Sequence, residues 1–211
     1  NTLCVADGPG GLLLVDVADP QTPVAIIPPL VLGTATDVAA GPGLAVVALD
    51  EAGLRVLDIS NPLLPKVIAS IDIPGNIRDL ILTEKYLYVT AESGGLHIFD
   101  MDQPHRPRHL ATLKTPGAAM KMDLFENTIF LADGSAGLQI IDVHDPASPR
   151  LLQSIPTNFK GQALSVAVVW PNIYVAGENF EKNDHLLGLK LNSHFEEISR
   201  QLIPASSFIS T

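Results

Sequence analysis

Gly11-Leu12, Gly53-Leu54, Gly95-Leu96 and Gly137-Leu138 recur at intervals of 42 residues, and Asp16, Asp58, Asp100 and Asp142 keep the same interval. Pro20, Pro62, Pro104 and Pro146, then Pro23, Pro65, Pro107 and Pro149, hold that register, as do Val5, Val47, Val89 and Leu131. Chance does not align so many columns, so the chain is a tandem array of one structural unit and its fold must be built by stacking copies of it. A more divergent fifth copy carries Gly33, Gly75 and Gly117 on to Gly161, and Leu131 on to Val175, each with two residues inserted.

One unit reads as four strands. In the second copy these are Asp37 to Ala40, Leu44 to Leu49, Leu54 to Ile59 and Lys66 to Asp72. Runs such as Leu12-Leu13-Leu14-Val15 and Ala45-Val46-Val47-Ala48 are apolar on consecutive positions, the pattern of strands covered on both faces. A sheet covered on both faces lies between other sheets, and four strands in about 42 residues is the period of a propeller blade. Helical solenoids need amphipathic stretches of ten or more residues, and the 17 Pro and 16 Gly break the chain too often for those. The expected fold is therefore all-β, a β-propeller of four-stranded blades, five in number. The whole chain is read as one domain, with blades at 1–32 plus 205–211, 33–74, 75–116, 117–160 and 161–204. Residues 206 to 210 are expected to supply the strand that the first blade lacks, by pairing with residues 3 to 6, which would close the ring and remove an exposed sheet edge; the competing reading is that these blades are a piece of a larger propeller.

The third strands read Leu12-Leu13-Leu14-Val15-Asp16, Leu54-Arg55-Val56-Leu57-Asp58, Leu96-His97-Ile98-Phe99-Asp100 and Leu138-Gln139-Ile140-Ile141-Asp142. With Ala132 to Leu138 and Asp145-Pro146-Ala147-Ser148-Pro149 beside them, these segments resemble the LVIVD repeat, a propeller-type repeat of bacterial and archaeal proteins. The resemblance covers residues 1 to 156; Leu186 to Asn192 in the last copy departs from it. It implies an extracellular or cell-surface location and transfers no catalytic residue.

Composition restricts the partners. Hydrophobic residues make up 46 % of the chain and the net charge is −10, so a large core is formed and a nucleic-acid partner is excluded, since phosphates are met by Lys and Arg. No apolar run has the length of a membrane span. Cys4 is the single cysteine, which leaves no intrachain disulfide and no cysteine-based zinc site.

The recurrent Asp of the third strand is expected to fix the following turn, and Lys66, Arg108 and Arg150 to protect an exposed sheet edge. Asp37, Asp79 and Lys121 occupy equivalent first-strand positions and, with acidic turns such as Asp7-Gly8, Asp133-Gly134 and Glu178-Asn179, outline an acidic channel mouth where weak calcium binding is conceivable. Gly177 to His185 is the irregular, charged segment, and Glu178, Glu181, Asp184 and His185 are its candidate contact residues. The six histidines share no repeat column, and there is no GxSxG, Walker or GxGxxG motif. No cofactor, metal or catalytic residue is assigned. The expected function is a non-catalytic interaction or scaffold module for a protein or cell-surface component. The alternative is a lactonase-like propeller hydrolase, or a cation-binding propeller, with carboxylates at the channel mouth.

Overall fold

A computed structural model describes residues 1–50, 52–157, 161–179 and 184–204. It is all-β, with five antiparallel sheets in chain order, each a blade. Blade one contains β1 (Thr2–Ala6), β2 (Leu12–Asp16) and β3 (Val24–Ala25); blade two β4 (Ala35–Gly41), β5 (Leu44–Leu49), β6 (Gly53–Asp58) and β7 (Lys66–Ile71). Blade three contains β8 (Ile77–Leu82), β9 (Tyr86–Ala91), β10 (Gly95–Asp100) and β11 (Arg108–Leu113). Blade four contains β12 (Met122–Phe125), β13 (Thr128–Ala132), β14 (Leu138–Asp142) and β15 (Arg150–Ile155). Blade five contains β16 (Gly161–Val169), β17 (Asn172–Asn179), β18 (Asp184–Leu191) and β19 (Glu197–Pro204). Blades two to five have four strands each, and blade one shows three among the described residues. The expected pairing of 206 to 210 with 3 to 6 lies outside the described residues.

The chain divides into two compact units, residues 1–91 with 97–110, and residues 92–96 with 111–211. In the first unit the consecutive apolar residues of β5 serve two cores by alternation. Ala45, Val47 and Leu49 join Leu12, Leu14 and Leu57, whereas Val46 and Ala48 join Leu54, Val56, Leu87 and Val89. A strand sandwiched in this way must be apolar at every position, which is why it lacks the polar alternation of a sheet with one wet face. The fourth strands are outermost, and Lys66, Val67, Arg150 and Leu151 are exposed there. In the second unit Phe130, Leu138, Ile140, Val175, Leu187 and Leu189 form one core, braced by Trp170 stacked on Phe125 at 5.6 Å.

The recurrent Asp does what its position suggests. Its Oδ1 accepts the backbone N–H two residues on in every repeat: Ala18, Ser60, Asp102 and His144 donate to Asp16, Asp58, Asp100 and Asp142, each at 2.9 Å. A second turn follows, in which Asp19, Asn61 and Asp145 accept from Gln21, Leu63 and Ala147. These side-chain acceptors substitute for ladder partners where the chain leaves the sheet, and the two prolines stiffen the exit. The basic residue of the fourth strand has a role beyond edge protection, because Lys66 and Arg150 stand directly opposite Asp58 and Asp142. Arg108 completes the contact with Asp100 at 2.7 Å.

These bonds give the stability a defined acid dependence. The Ser60 hydroxyl and amide hold the Asp58 carboxyl below the usual carboxylate range, and the Asp102 amide with the Arg108 guanidinium does the same for Asp100. A depressed folded-state value means stabilisation that is complete above the unfolded value, about 3.9, and lost as pH falls through the folded one. The double variant Asp58→Ala, Asp100→Ala is expected to melt lower than wild type at pH 7, with the difference vanishing in strong acid. Melting scans from neutral pH downward check this, and parallel curves would disprove the turn role.

Candidate functional site

Asp37 and Asp79 sit at the same place in successive blades, each just after a register slip, between Ala35 and Asp37 in β4 and between Ile77 and Asp79 in β8. The extra residue turns the carboxylate toward the next blade. Asp37 Oδ2 accepts the N–H of Leu80, next to Asp79, at 2.9 Å, so this carboxylate stitches blade two to blade three. Asp79 faces Thr90 and is 9 % exposed. Asp123 repeats the stitch in the second unit, accepting from Val168 at 2.7 Å. Nothing in the 42-residue register marks Asp123, since it is two positions beyond the column of Asp37 and Asp79; the sequence reading missed it.

Lys121 precedes β12 and is exposed, its carbonyl accepting Ala132 and its amide donating to Leu164. In blade five the hairpin strands run further than expected. Gly177 pairs with His185 and Glu178 with Asp184, so both ends of the segment read as an irregular loop are ladder. The structure thus brings Glu178 and Asp184 opposite each other; Glu181 lies outside the described residues. Among the described residues no three His, Cys, Asp or Glu side chains converge as a metal site.

The acidic turns differ from one another in burial. Asp7 is exposed, whereas Asp133 is 0 % exposed and holds two donors, the Thr115 hydroxyl at 2.7 Å and the Gly117 amide at 2.9 Å. Desolvation pushes its carboxyl up, against the pull of those two bonds. A side chain at Gly117 would overlap the Asp133 carbonyl oxygen, so glycine is what lets the two segments approach.

Two hollows flank residues 100 to 108, the connection from β10 to β11. One, of about 450 Å³, is lined by Asp100, Asp102, Gln103, Arg106, Pro107 and Arg108. The other, of about 360 Å³, has Leu44, Ile68, Leu82 and Met101 on its walls with Asp58, Glu84 and His105 at its rim. Arg108 is engaged by Asp100, while the Arg106 guanidinium has no partner among the described residues. Sequence reasoning assigned this connection only to turn structure; the larger hollow lies within the connection itself, and the apolar one arises from blades two and three side by side, which no residue column announces.

No curated protein matches the chain. Among solved structures it is similar to the periplasmic gluconolactonase of Pseudomonas aeruginosa, with a TM-score of 0.75 at 16 % identity, covering 96 % of this chain and 68 % of that one. A functionally unknown protein from Desulfotomaculum acetoxidans gives 0.74 at 15 % identity over the same shares. The dihydro-heme d1 dehydrogenase NirN gives 0.67 at 14 % identity, covering 96 % of this chain and 44 % of that one. At these identities the likeness is one of fold, and it agrees with a β-propeller of five blades in this chain. The LVIVD repeat matches residues 1–27, 32–72, 74–110 and 116–157, the four copies in which the 42-residue register is unbroken, and the chain belongs to the LVIVD repeat family.

Proposed function

We propose that the chain is a non-catalytic binding module of a secreted or cell-surface protein, and that it takes a protein segment in the hollows flanking residues 100 to 108. The observation that carries the proposal is the pairing of an apolar slot with charges of both signs on one connection, where Leu82 and Met101 can receive an apolar side chain while Arg106 and Glu84 meet polar neighbours. Such a mixture of Met, Arg, Pro and His around a small cavity is the composition of an interaction centre more than of a reaction site. The carboxylates suited to catalysis support this by their occupation: Asp37 and Asp123 join blades, and Asp16, Asp58, Asp100 and Asp142 close turns. An extracytoplasmic location is part of the proposal, in keeping with the periplasmic protein among the similar folds.

The test sets binding against turnover. The immobilised chain is exposed to the surface proteome of its source cell, the partner is identified by mass spectrometry, and its affinity is measured for wild type and for Arg106→Glu with His105→Ala. A loss of at least about tenfold, or 1.4 kcal/mol, with an unchanged melting profile is expected. Hydrolysis of gluconolactone that Asp37→Asn with Asp79→Asn removes would overturn the proposal.

A further inference from the structure

The repeat supplies an internal template for what belongs in the apolar hollow between blades two and three. Blades four and five repeat that pair within the second unit, and there the corresponding corner is filled with aromatic rings. Phe125 ends the first strand of blade four, Trp170 sits in the turn between β16 and β17, and Phe195 comes from the connection between β18 and β19. Phe125 stacks on Trp170 at 5.6 Å, while Phe195 meets Trp170 edge-on at 5.7 Å and Phe130 at 6.1 Å.

Blades two and three have none of these rings. Strand pairing fixes the correspondence. Gly41 faces Leu44 as Phe125 faces Thr128, and Val46 faces Val56 as Phe130 faces Ile140. Thr83 closes on Tyr86 as Val169 closes on Asn172, which puts Glu84 in the place of Trp170. The connection from β10 to β11 brings His105 where that from β18 to β19 brings Phe195. Gly41, Glu84 and His105 all line the hollow of about 360 Å³. Its walls Leu44, Ile68 and Leu82 are the half-buried margin of their core, the place that Phe125, Trp170 and Phe195 occupy on the other. In each pair the first strands adjoin, so the contrast is one of side chains. The backbone does not demand the glycine: φ at Gly41 is not positive, and a Cβ there would meet no atom closer than Leu82 Cδ2 at 3.7 Å.

We propose that this hollow receives the indole of a tryptophan on a protein segment, with a Lys or Arg next to it that meets Glu84. The inference rests on the reading of this site as one for a protein segment and adds the chemistry of the anchor. A ring seated on Leu44, Leu82 and Met101 removes from water the kind of surface that Trp170 and Phe195 cover in blades four and five, and such buried aromatics dominate the energy of an interface. Charge selects the neighbour. Glu84 is exposed and makes no hydrogen bond or ion pair among the described residues. The adjacent Lys85 is turned to Asp102 at 3.8 Å and to the Tyr86 ring, and Lys66 stands opposite Asp58. On a chain of net charge −10, a cation brought by the partner is drawn to Glu84.

The experiment titrates the chain by heteronuclear NMR with the end-blocked peptide Ser-Arg-Trp-Arg-Ser, and with versions carrying Ala for Trp or Glu for both Arg. The first peptide is expected to bind with a Kd below about 1 mM, with shifts centred on Gly41, Leu82 and Met101, and each altered peptide at least about tenfold more weakly. Glu84→Gln should weaken the Arg peptide about threefold at an unchanged melting temperature. Gly41→Phe with Glu84→Trp, which installs the ring pair of blades four and five, should abolish binding and keep or raise the melting temperature. Gly41→Phe alone should weaken binding at least about tenfold. No shifts at millimolar peptide, equal binding of the Ala peptide, or binding unaffected by Gly41→Phe overturns the proposal. Concentration-dependent self-association that Gly41→Phe abolishes also overturns it, since a second copy would then be the occupant. The two readings fail separately. A cell-surface partner lost with Arg106→Glu and His105→Ala but kept with Gly41→Phe leaves the binding module standing and sinks the aromatic anchor, whereas gluconolactone turnover removed by Asp37→Asn with Asp79→Asn sinks the binding module itself.

Discussion

Gly137→Ala is expected to destabilise the chain by roughly 3 to 5 kcal/mol, among the largest effects available to a single added methyl. Gly137 has φ +83°, a left-handed conformation that costs an L side chain about 1 to 3 kcal/mol, and a Cβ there would overlap the carbonyl oxygen of Ile155. That oxygen belongs to the backbone of β15, so no side chain can rotate to make room and the strand itself must yield. The same arrangement holds at Gly11, Gly53 and Gly95, at φ +83°, +69° and +82°, whose Cβ positions overlap the carbonyls of Leu30, Ile71 and Leu113. In blades two to four the glycine lets the turn into the third strand pass against the end of the fourth, and in blade one Gly11 meets Leu30, beyond β3. Gly188→Ala is the control, with no positive φ and no atom nearer than 3.8 Å to an added Cβ, and should change stability by less than about 0.5 kcal/mol. Urea unfolding of the two variants checks the contrast. A Gly137→Ala protein within about 1 kcal/mol of wild type would show that the turn is far softer than its contacts imply.

The glycine column was the first thing legible in the sequence, yet its reason was not. Spacing alone reveals that a residue type is required at a position; only the meeting of Gly137 with Ile155, 18 residues away, reveals why. The turn role of Asp16, Asp58, Asp100 and Asp142 was readable because an Asx turn is local, donor and acceptor lying two residues apart. Strand limits in blade two were readable for the same reason, set by Pro and Gly at both ends. What escaped was everything that depends on two blades at once. Asp37 reaching Leu80 and Asp123 reaching Val168 span 43 and 45 residues, and at Asp37 a register slip accompanies the reach. The extension of β17 and β18 to Glu178 and Asp184 was hidden because charged residues in a hairpin have the composition of a loop.

Lowering the pH from neutral is expected to strengthen the fold at Asp133 before it weakens it elsewhere. Burial raises the folded-state value of this carboxyl above its unfolded one, so the native state takes up the proton first, and stability rises as pH falls between the two values. The sign is opposite to that of Asp58, Asp100 and Glu197, whose depressed values make the fold lose stability further into acid. Protonation need not break the cradle. With its proton on the oxygen facing Thr115, the acid can donate to that hydroxyl, which reverses its role, while the other oxygen still accepts the Gly117 amide. Asn reproduces that arrangement, its NH₂ donating to the Thr115 hydroxyl while its Oδ1 accepts the Gly117 amide, so Asp133→Asn is the charge-free reference. Where the contacts are lost outright, a buried donor left without an acceptor costs about 1 to 3 kcal/mol. Asp133→Ala loses both contacts and should fall at the upper end of that range or beyond, because the Gly117 amide is held within a segment too tight to rearrange. The measurement is the unfolding free energy of wild type and Asp133→Asn from pH 7 to pH 4. The wild type should gain on the variant as pH falls, since only the wild type has a buried charge to neutralise. A wild type that instead loses ground to Asp133→Asn over that range would mean that the Thr115 and Gly117 bonds outweigh desolvation and hold the carboxylate charged within the folded protein.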